Sequence, residues 1–343
     1  MKIIWEHSQE TEAKRIIHTA HQMAVGFYRL NGFFVLPSEE KLASSESNLV
    51  YLPDLNYTSI PRFWETARKT DVLELPIVAD KKLVDQIVSL LGKTNEPQLN
   101  KTIDIWNKLE KEFFEELEKV IPDLKNSIKN LVVMPTNFGT KCSFNTPEKF
   151  PSDIVMYLRY DQDMVYGLVE GILSAVTRNT VFKKLDGSWA ESEMLVDWLI
   201  SESSIGKVVQ KYHDIKYFSP TIKSTRVKQN ANLLKKSDEF YKKLGLPSFE
   251  KPFNLENNSP KLFNKEINSL NESEKKILAL LIEKSNGVIT TDEVGKVIFK
   301  NEDDFSLYAI AKTIQRLRDK LEDEGISGSY IQTQRGIGYV LRN

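Results

Sequence analysis

The sequence predicts an α+β protein in two parts. A mostly helical α+β domain covers residues 1–245, and a compact unit of three helices closed by a β-hairpin covers 252–343. Three observations predict this. Apolar residues recur at three- and four-residue spacing through most of the first part, interrupted by two strand-like runs. Chain-breaking residues cluster at Gly245-Leu246-Pro247, with Pro252 close behind. Beyond them the order is helix, helix, helix, hairpin.

In the first part, Ile16, Ile17, Ala20, Met23, Ala24, Phe27 and Leu30 line one face of a predicted helix over Glu10–Leu30 that stops at Asn31-Gly32. Ser44–Ser59 is polar and reads as irregular. Shorter helices are predicted over Pro61–Lys69 and Asp80–Leu91, and a longer one over Gln98–Ile121, closed by Pro122. Leu131–Met134 and Ile154–Arg159 read as strands around the turn residues Asn137-Phe138-Gly139. Helices are predicted over Asp163–Thr177 and Trp189–Ser201, then a Lys-rich one over Thr225–Leu244.

A chain of 343 residues suits two domains, and an apolar share of 41% is ample for buried cores. Lys plus Arg number 47 against 48 Asp plus Glu, so any surface for a polyanion must be local. The lone Cys142 excludes an internal disulfide and an all-cysteine metal site. It reads as a small core residue or a redox sensor, with Lys141 the one neighbour that lowers a thiol pKa. The start Met1-Lys2-Ile3-Ile4-Trp5-Glu6-His7 turns polar too early for a signal peptide. The longest apolar run, Ile277–Ile282, is far short of the roughly 20 residues that cross a bilayer. A soluble cytoplasmic protein without membrane contact is expected.

The second part is the more explicit. Phe253-Asn254-Leu255 and Lys261-Leu262-Phe263 are strand candidates around the turn Asn257-Asn258-Ser259-Pro260. Asn271 and Thr290 each stand three residues before a glutamate, Glu274 and Glu293, and so open two helices with capping boxes. The third helix runs over about 306–323. Ile310, Ile314, Leu317 and Leu321 form its inward stripe, Lys312 and Arg316 project almost opposite, Arg318 flanks them, and Asp319 shares the outer face. A hairpin over 330–341 closes the chain. With 13 basic and 14 acidic residues between 252 and 343, charge alone does not mark a nucleic-acid surface.

Three blocks here carry a family pattern: Leu270-Asn271-Glu272-Ser273-Glu274, Ile314-Gln315-Arg316-Leu317-Arg318-Asp319-Lys320-Leu321, and Tyr330-Ile331-Gln332-Thr333-Gln334-Arg335-Gly336-Ile337-Gly338-Tyr339. At their spacing, the span from about Pro252 to Asn343 resembles the OmpR/PhoB-type winged-helix DNA-binding domain of bacterial transcription regulators. The resemblance implies a helix-turn-helix whose third helix lies in the major groove and whose hairpin, the wing, lies at the minor groove. It implies a base-edge or major-groove role for Arg316, phosphate contacts for Arg318 and Thr333, and a wing contact for Arg335. Lys312 takes an exposed helix position that often touches DNA. Thr313 and Gln315 complete the expected contact set, where more basic or aromatic residues are common in the family. Gly336 and Gly338 permit the wing turn. The implied partner is double-stranded DNA, with RNA polymerase or a second copy of the chain as further candidates. The expected function is sequence-specific transcription regulation.

Residues 1–245 do not read as the phosphorylated receiver domain that usually precedes such a domain: no acidic pair closes an early strand, and no βα series follows. The order strand, helix, helix over Met156–Leu199 is instead similar to that of gluzincin metallopeptidases. Glu193-Met194-Leu195-Val196-Asp197 matches E-x-x-x-D, and Glu170 stands where the general base of H-E-x-x-H would be. Val169 and Leu173 occupy the two histidine positions and cannot bind zinc. No catalytic residue, metal ligand or cofactor is therefore assigned. The alternative reading is a zincin-like hydrolase localised or regulated by the winged helix. His18 and His21, at i and i+3 with His7 nearby, read as solvated or core histidines, and the Lys-rich stretch Lys207–Lys243 as a solvated face or as extra phosphate contacts.

Overall fold

The computed structural model describes residues 2–40, 48–72, 74–93, 96–124, 128–145, 153–161, 163–185, 189–214, 231–247, 251–299, 301 and 305–343. The chain packs as two compact units. Residues 1–21 and 34–236 make the first, and Gln22–Phe33 with Ser237–Asn343 make the second. The second unit thus takes in a segment near the N-terminus that the breakers at 245–252 do not indicate. No helix among the described residues is long and apolar enough to cross a membrane.

Up to Lys243 the elements are β1 (Lys2–Trp5), α1 (Gln9–Ala24), α2 (Phe27–Leu30), β2 (Phe34–Pro37), β3 (Leu49–Leu52), α3 (Phe63–Lys69), α4 (Lys81–Leu91), α5 (Asn100–Val120), β4 (Asn130–Thr136), β5 (Cys142–Phe144), β6 (Asp153–Arg159), α6 (Met164–Asn179), α7 (Trp189–Ser201), α8 (Ser204–Tyr212) and α9 (Ala231–Lys243). The single helix expected over Glu10–Leu30 is broken at Gly26, whose φ of 76° ends one helix and caps the next. β3 lies inside the stretch expected to be irregular, and part of the expected Thr225–Leu244 helix, residues 225–230, lies outside the described residues.

In the first unit, β1, β4 and β6 run parallel and β5 pairs antiparallel to β6, giving the order β1-β4-β6-β5. β4 and β6 are apolar almost without alternation, the pattern of parallel strands covered on both faces. Their side chains join one core with α5, α6, α7 and α8 that includes Trp106, Phe113, Leu131, Met156, Ile172 and Val209. Asp163 caps α6 by accepting the Tyr166 N–H at 3.0 Å.

The second unit adds β7 (Phe253–Glu256), β8 (Ser259–Leu262), β9 (Lys265–Glu266), α10 (Glu272–Glu283), β10 (Val288–Thr290), α11 (Thr291–Ile298), α12 (Leu307–Asp323), β11 (Ile331–Gln334) and β12 (Gly338–Leu341). β7, β8 and β9 form an antiparallel meander, its first turn carried by Asn257 and Asn258 at positive φ. The expected four-residue turn is thereby two residues shorter, and Ser259 and Pro260 join β8. Both capping boxes form: Asn271 with Glu274, and Thr290 with Glu293. Ile277, Leu281, Val294, Ile310, Ile314, Leu317 and Leu321 are fully buried between the three helices. β10 pairs with β12, so the hairpin is one side of a three-stranded sheet.

The segment Gln22–Phe33 holds the turn that follows α12. The Ser327 N–H donates to the Val25 carbonyl at 2.9 Å, and the Tyr330 hydroxyl reaches the Gly26 carbonyl at 3.5 Å. Arg29 pairs with Asp238 of α9 at 3.3 Å. Tyr28, Tyr241 and Tyr330 are all buried in this region, where burial pushes the Tyr241 and Tyr330 hydroxyl pKa values up.

The two hairpin glycines have different jobs. Gly336 has a φ of +66° with open space around it, whereas a Cβ on Gly338 would sit 1.9 Å from the Ile289 carbonyl oxygen of β10. Gly338→Ala is therefore expected to destabilise the unit by about 1–3 kcal/mol, read as a lower thermal midpoint. Gly336→Asn, whose side chain tolerates the left-handed region, is expected to cost less.

A second expectation concerns pH. The Lys284 ammonium, then the Thr290 backbone N–H, hold the Glu293 carboxyl down at about 2. Because this folded value lies below the unfolded one of 4.5, the stabilisation is complete above the unfolded value and lost as pH falls through the folded one. Between about pH 5 and pH 2 the thermal midpoint of the native chain should fall more than that of Glu293→Gln. Parallel curves would show that Glu293 contributes nothing.

Candidate nucleic-acid interface

α12 is built to present one face. Ser306 caps it by accepting the Ala309 N–H at 3.3 Å, and the Ile310, Ile314, Leu317 and Leu321 stripe fixes its roll against α10 and α11. Lys320 donates to Glu274 at 2.6 Å, joining the last turns of α12 to the capping box of α10. At about 100° per residue, this leaves Tyr308, Ala311, Lys312, Gln315 and Asp319 around the outward direction, all exposed, with Arg316 at their edge.

The expected contact residues do not all share that face. Lys312 and Arg316 are exposed as expected. Gln315 is exposed, but its amide donates to Asp319 Oδ1 at 2.7 Å, which orients the side chain. Thr313 is a correction: it is 5% exposed, and its hydroxyl donates to the Ala309 carbonyl at 2.8 Å. It accepts from Arg316 Nη2 at 3.1 Å, so it steers an outward residue rather than facing out itself. The wheel position of Thr313, at the margin of the buried stripe, carries that signal in the sequence.

Arg318 is half-buried and turned to the hairpin. Its Nε donates to the Ile331 carbonyl at 2.9 Å and its Nη2 to Thr333 Oγ1 at 3.0 Å. The two residues expected to take phosphates thus meet each other, and their bond ties α12 to β11. Thr333 and Arg335 are exposed on the hairpin, Arg335 in the turn between β11 and β12.

Sequence reasoning missed the apolar component of this surface. Tyr308 is 74% exposed and Ile337, in the hairpin turn, 54%. Attention to cations obscured Tyr308, although it lies one helical turn before Lys312.

In the first unit, the side chains that prompted the zincin comparison are engaged otherwise. Glu170 pairs with Lys141 at 3.2 Å and Glu193 with Arg178, while Val169 and Leu173 are fully buried in the core. Among the described residues no three His, Cys, Asp or Glu side chains converge as metal ligands. His18 is buried 3.1 Å from Arg15 Nη1, and burial holds its pKa well below the usual value; His21 Nδ1 lies 3.1 Å from the Ala67 carbonyl. Burial pushes the Cys142 thiol up to about 12, the opposite of a reactive thiolate. Lys211 of the Lys-rich stretch pairs with Glu112 at 2.8 Å, and residues 215–230 lie outside the described residues.

Comparisons with known proteins concern the second unit. Residues 264–341 match the family described as "Transcriptional regulatory protein, C terminal". The sensory transduction protein BceR of Halalkalibacterium halodurans is 33% identical over 73 residues, which are 21% of this chain and 31% of that protein. The chain therefore spans about a third of the length of this curated relative. A solved structure, the response regulator AdeR DNA binding domain in complex with an intercistronic region, is 26% identical. That match has a TM-score of 0.24 and covers 27% of this chain and 95% of that one. With three helices, a hairpin and this family match in register, residues 264–341 are an OmpR/PhoB-type winged-helix domain, the C-terminal domain of transcriptional regulatory proteins.

Proposed function

We propose that this chain is a sequence-specific transcription regulator that binds double-stranded DNA through residues 252–343, with α12 in the major groove and the β11–β12 wing at the minor groove. The observation that carries this reading is the outward face of α12. Lys312, Gln315 and Arg316 are exposed on it, the helix is fixed in roll by its buried stripe, and Arg318 ties it to the wing that displays Arg335. Donors on a rigid helix suit base edges, and exposed cations on the wing suit phosphates or the narrow groove. The family match supports the same assignment. A regulator of this kind works in the cytoplasm.

Selection of bound DNA from a random duplex pool with the full chain tests the reading. Paired half-sites among the recovered sequences would report two copies bound side by side. On the selected site, Arg316→Ala is expected to weaken binding by about 1–3 kcal/mol and to relax preference at one or two positions. Equal loss on specific and random DNA in a fluorescence titration would make Arg316 a phosphate contact. No loss would remove it from the interface.

The first unit is read as a sensing, dimerisation or docking module rather than a hydrolase, because Glu170 and Glu193 are neutralised by Lys141 and Arg178. The reading also includes no phosphoacceptor within residues 1–245. Elemental analysis of chain purified without chelator is expected to find no stoichiometric zinc. A ratio near one that fell on Glu193→Gln would make the hydrolase the leading reading.

A further inference from the structure

The first turns of α12 carry a side chain whose exposure the fold does not explain. Tyr308 is 74% exposed, and among the described residues it makes no hydrogen bond and no ring contact. Tyrosine, with an apolar ring and a polar tip, is enriched at contact surfaces. Ala311 is exposed beside it, and at about 100° per residue Tyr308, Ala311 and Gln315 fall on one side of the outward arc. Over the turns from Tyr308 to Gln315 this strip holds no charge: Lys312 lies at its far margin and Arg316 beyond that, while Asp319 follows one turn after Gln315 and holds its amide.

The major groove offers one apolar feature, the C5-methyl group of thymine, and side chains that are apolar at their reach select for it. A cationic side chain would instead favour guanine, and none stands at this turn. We propose that Tyr308, with Ala311 beside it, is a specificity-determining residue that packs its ring on a thymine methyl and so selects A·T pairs at one end of the recognition helix. Arg316 lies eight residues on, roughly 12 Å along the axis, so it addresses a different base pair. The inference rests on the major-groove placement of α12 proposed above.

Thymine-to-uracil replacement removes the methyl and nothing else, and so isolates this contact. With the full chain and a site recovered by selection, each thymine is replaced by uracil in turn and binding is measured by titration. At one or two positions the native chain is expected to lose about fourfold in affinity, the worth of one buried methyl group. Tyr308→Ala should bind the thymine and uracil duplexes equally at those positions, and Tyr308→Phe should keep the native preference, since the ring is retained. Because Tyr308 is exposed, neither change removes a core side chain.

A native chain indifferent to uracil at every position would overturn the proposal, as would a preference unchanged in Tyr308→Ala. Equal losses for Tyr308→Phe and Tyr308→Ala on thymine and uracil duplexes alike would show the hydroxyl on a phosphate, and would overturn it too. In each of these outcomes specific binding itself survives. Failure to select any specific DNA would overturn the underlying reading as well.

Discussion

The Arg318 guanidinium bridges α12 and β11, with one nitrogen on the Ile331 carbonyl and another on the Thr333 hydroxyl. What the second unit displays depends on that bridge. A helix and a hairpin form one surface only if their separation is held, and a planar fork with two acceptors fixes both distance and direction. The surrounding contacts reinforce it. Lys320 anchors the same helix to Glu274, and a buried stripe of four residues sets its roll. At the turn beyond, Gly325 takes a φ of 84° and the Ser327 N–H is held by the Val25 carbonyl. Arg318 therefore positions α12 against the hairpin through its Nε and Nη2.

This arrangement explains how a domain with nearly balanced charge can be organised for a polyanion. Of its cations, Lys284, Lys320 and Arg318 are committed to internal partners. On the outward face of the helix and on the hairpin turn stand Lys312, Arg316 and Arg335. Counterion release scales with the number of phosphates neutralised, so the salt dependence of binding would report how many of these cations meet phosphates. Uncharged groups stand beside them, namely the exposed ring of Tyr308 and the Asp319-oriented amide of Gln315.

The second unit was largely legible in the sequence because its signals are local. A capping box spans four residues, an amphipathic stripe one helix, and the wing turn a single glycine at positive φ. What escaped has distant causes. β1, β2, β3 and β5 are three or four residues long, and each exists because a partner supplies hydrogen bonds: β1 needs β4, more than a hundred residues away. α8 is short and amphipathic, separated from α7 by only Glu202 and Ser203, and the fold rather than any breaker defines it. The recruitment of Gln22–Phe33 into the second unit depends on tertiary contacts that no window of sequence contains. The inward turn of Thr313 is the exception, a local feature visible on the helical wheel.

Buried polar groups of the first unit are committed within the fold. Arg15 is fully buried, yet it donates to the Phe138 carbonyl at 3.1 Å, to Ser143 Oγ at 2.9 Å and to Thr140 Oγ1 at 3.1 Å. Arg159 reaches the Leu49 and Gly139 carbonyls at 2.9 and 3.0 Å and pairs with Asp161 at 2.6 Å. Gly139 must be glycine here, since a Cβ would lie 2.2 Å from Arg15 Nη2. Glu12 accepts from the Thr136 hydroxyl and from the Asn137 N–H. Burying these charges is tolerable only because the chain's own backbone and hydroxyls satisfy them, and a group so committed has little capacity left for a ligand. These residues staple the loops at the carboxyl ends of β4 and β6, where open parallel sheets commonly bind ligands. In the second unit Lys312, Gln315, Arg316 and Arg335 are exposed, the first three on a helix whose roll its buried stripe fixes. Fixed support and exposed side chains thus coincide on α12.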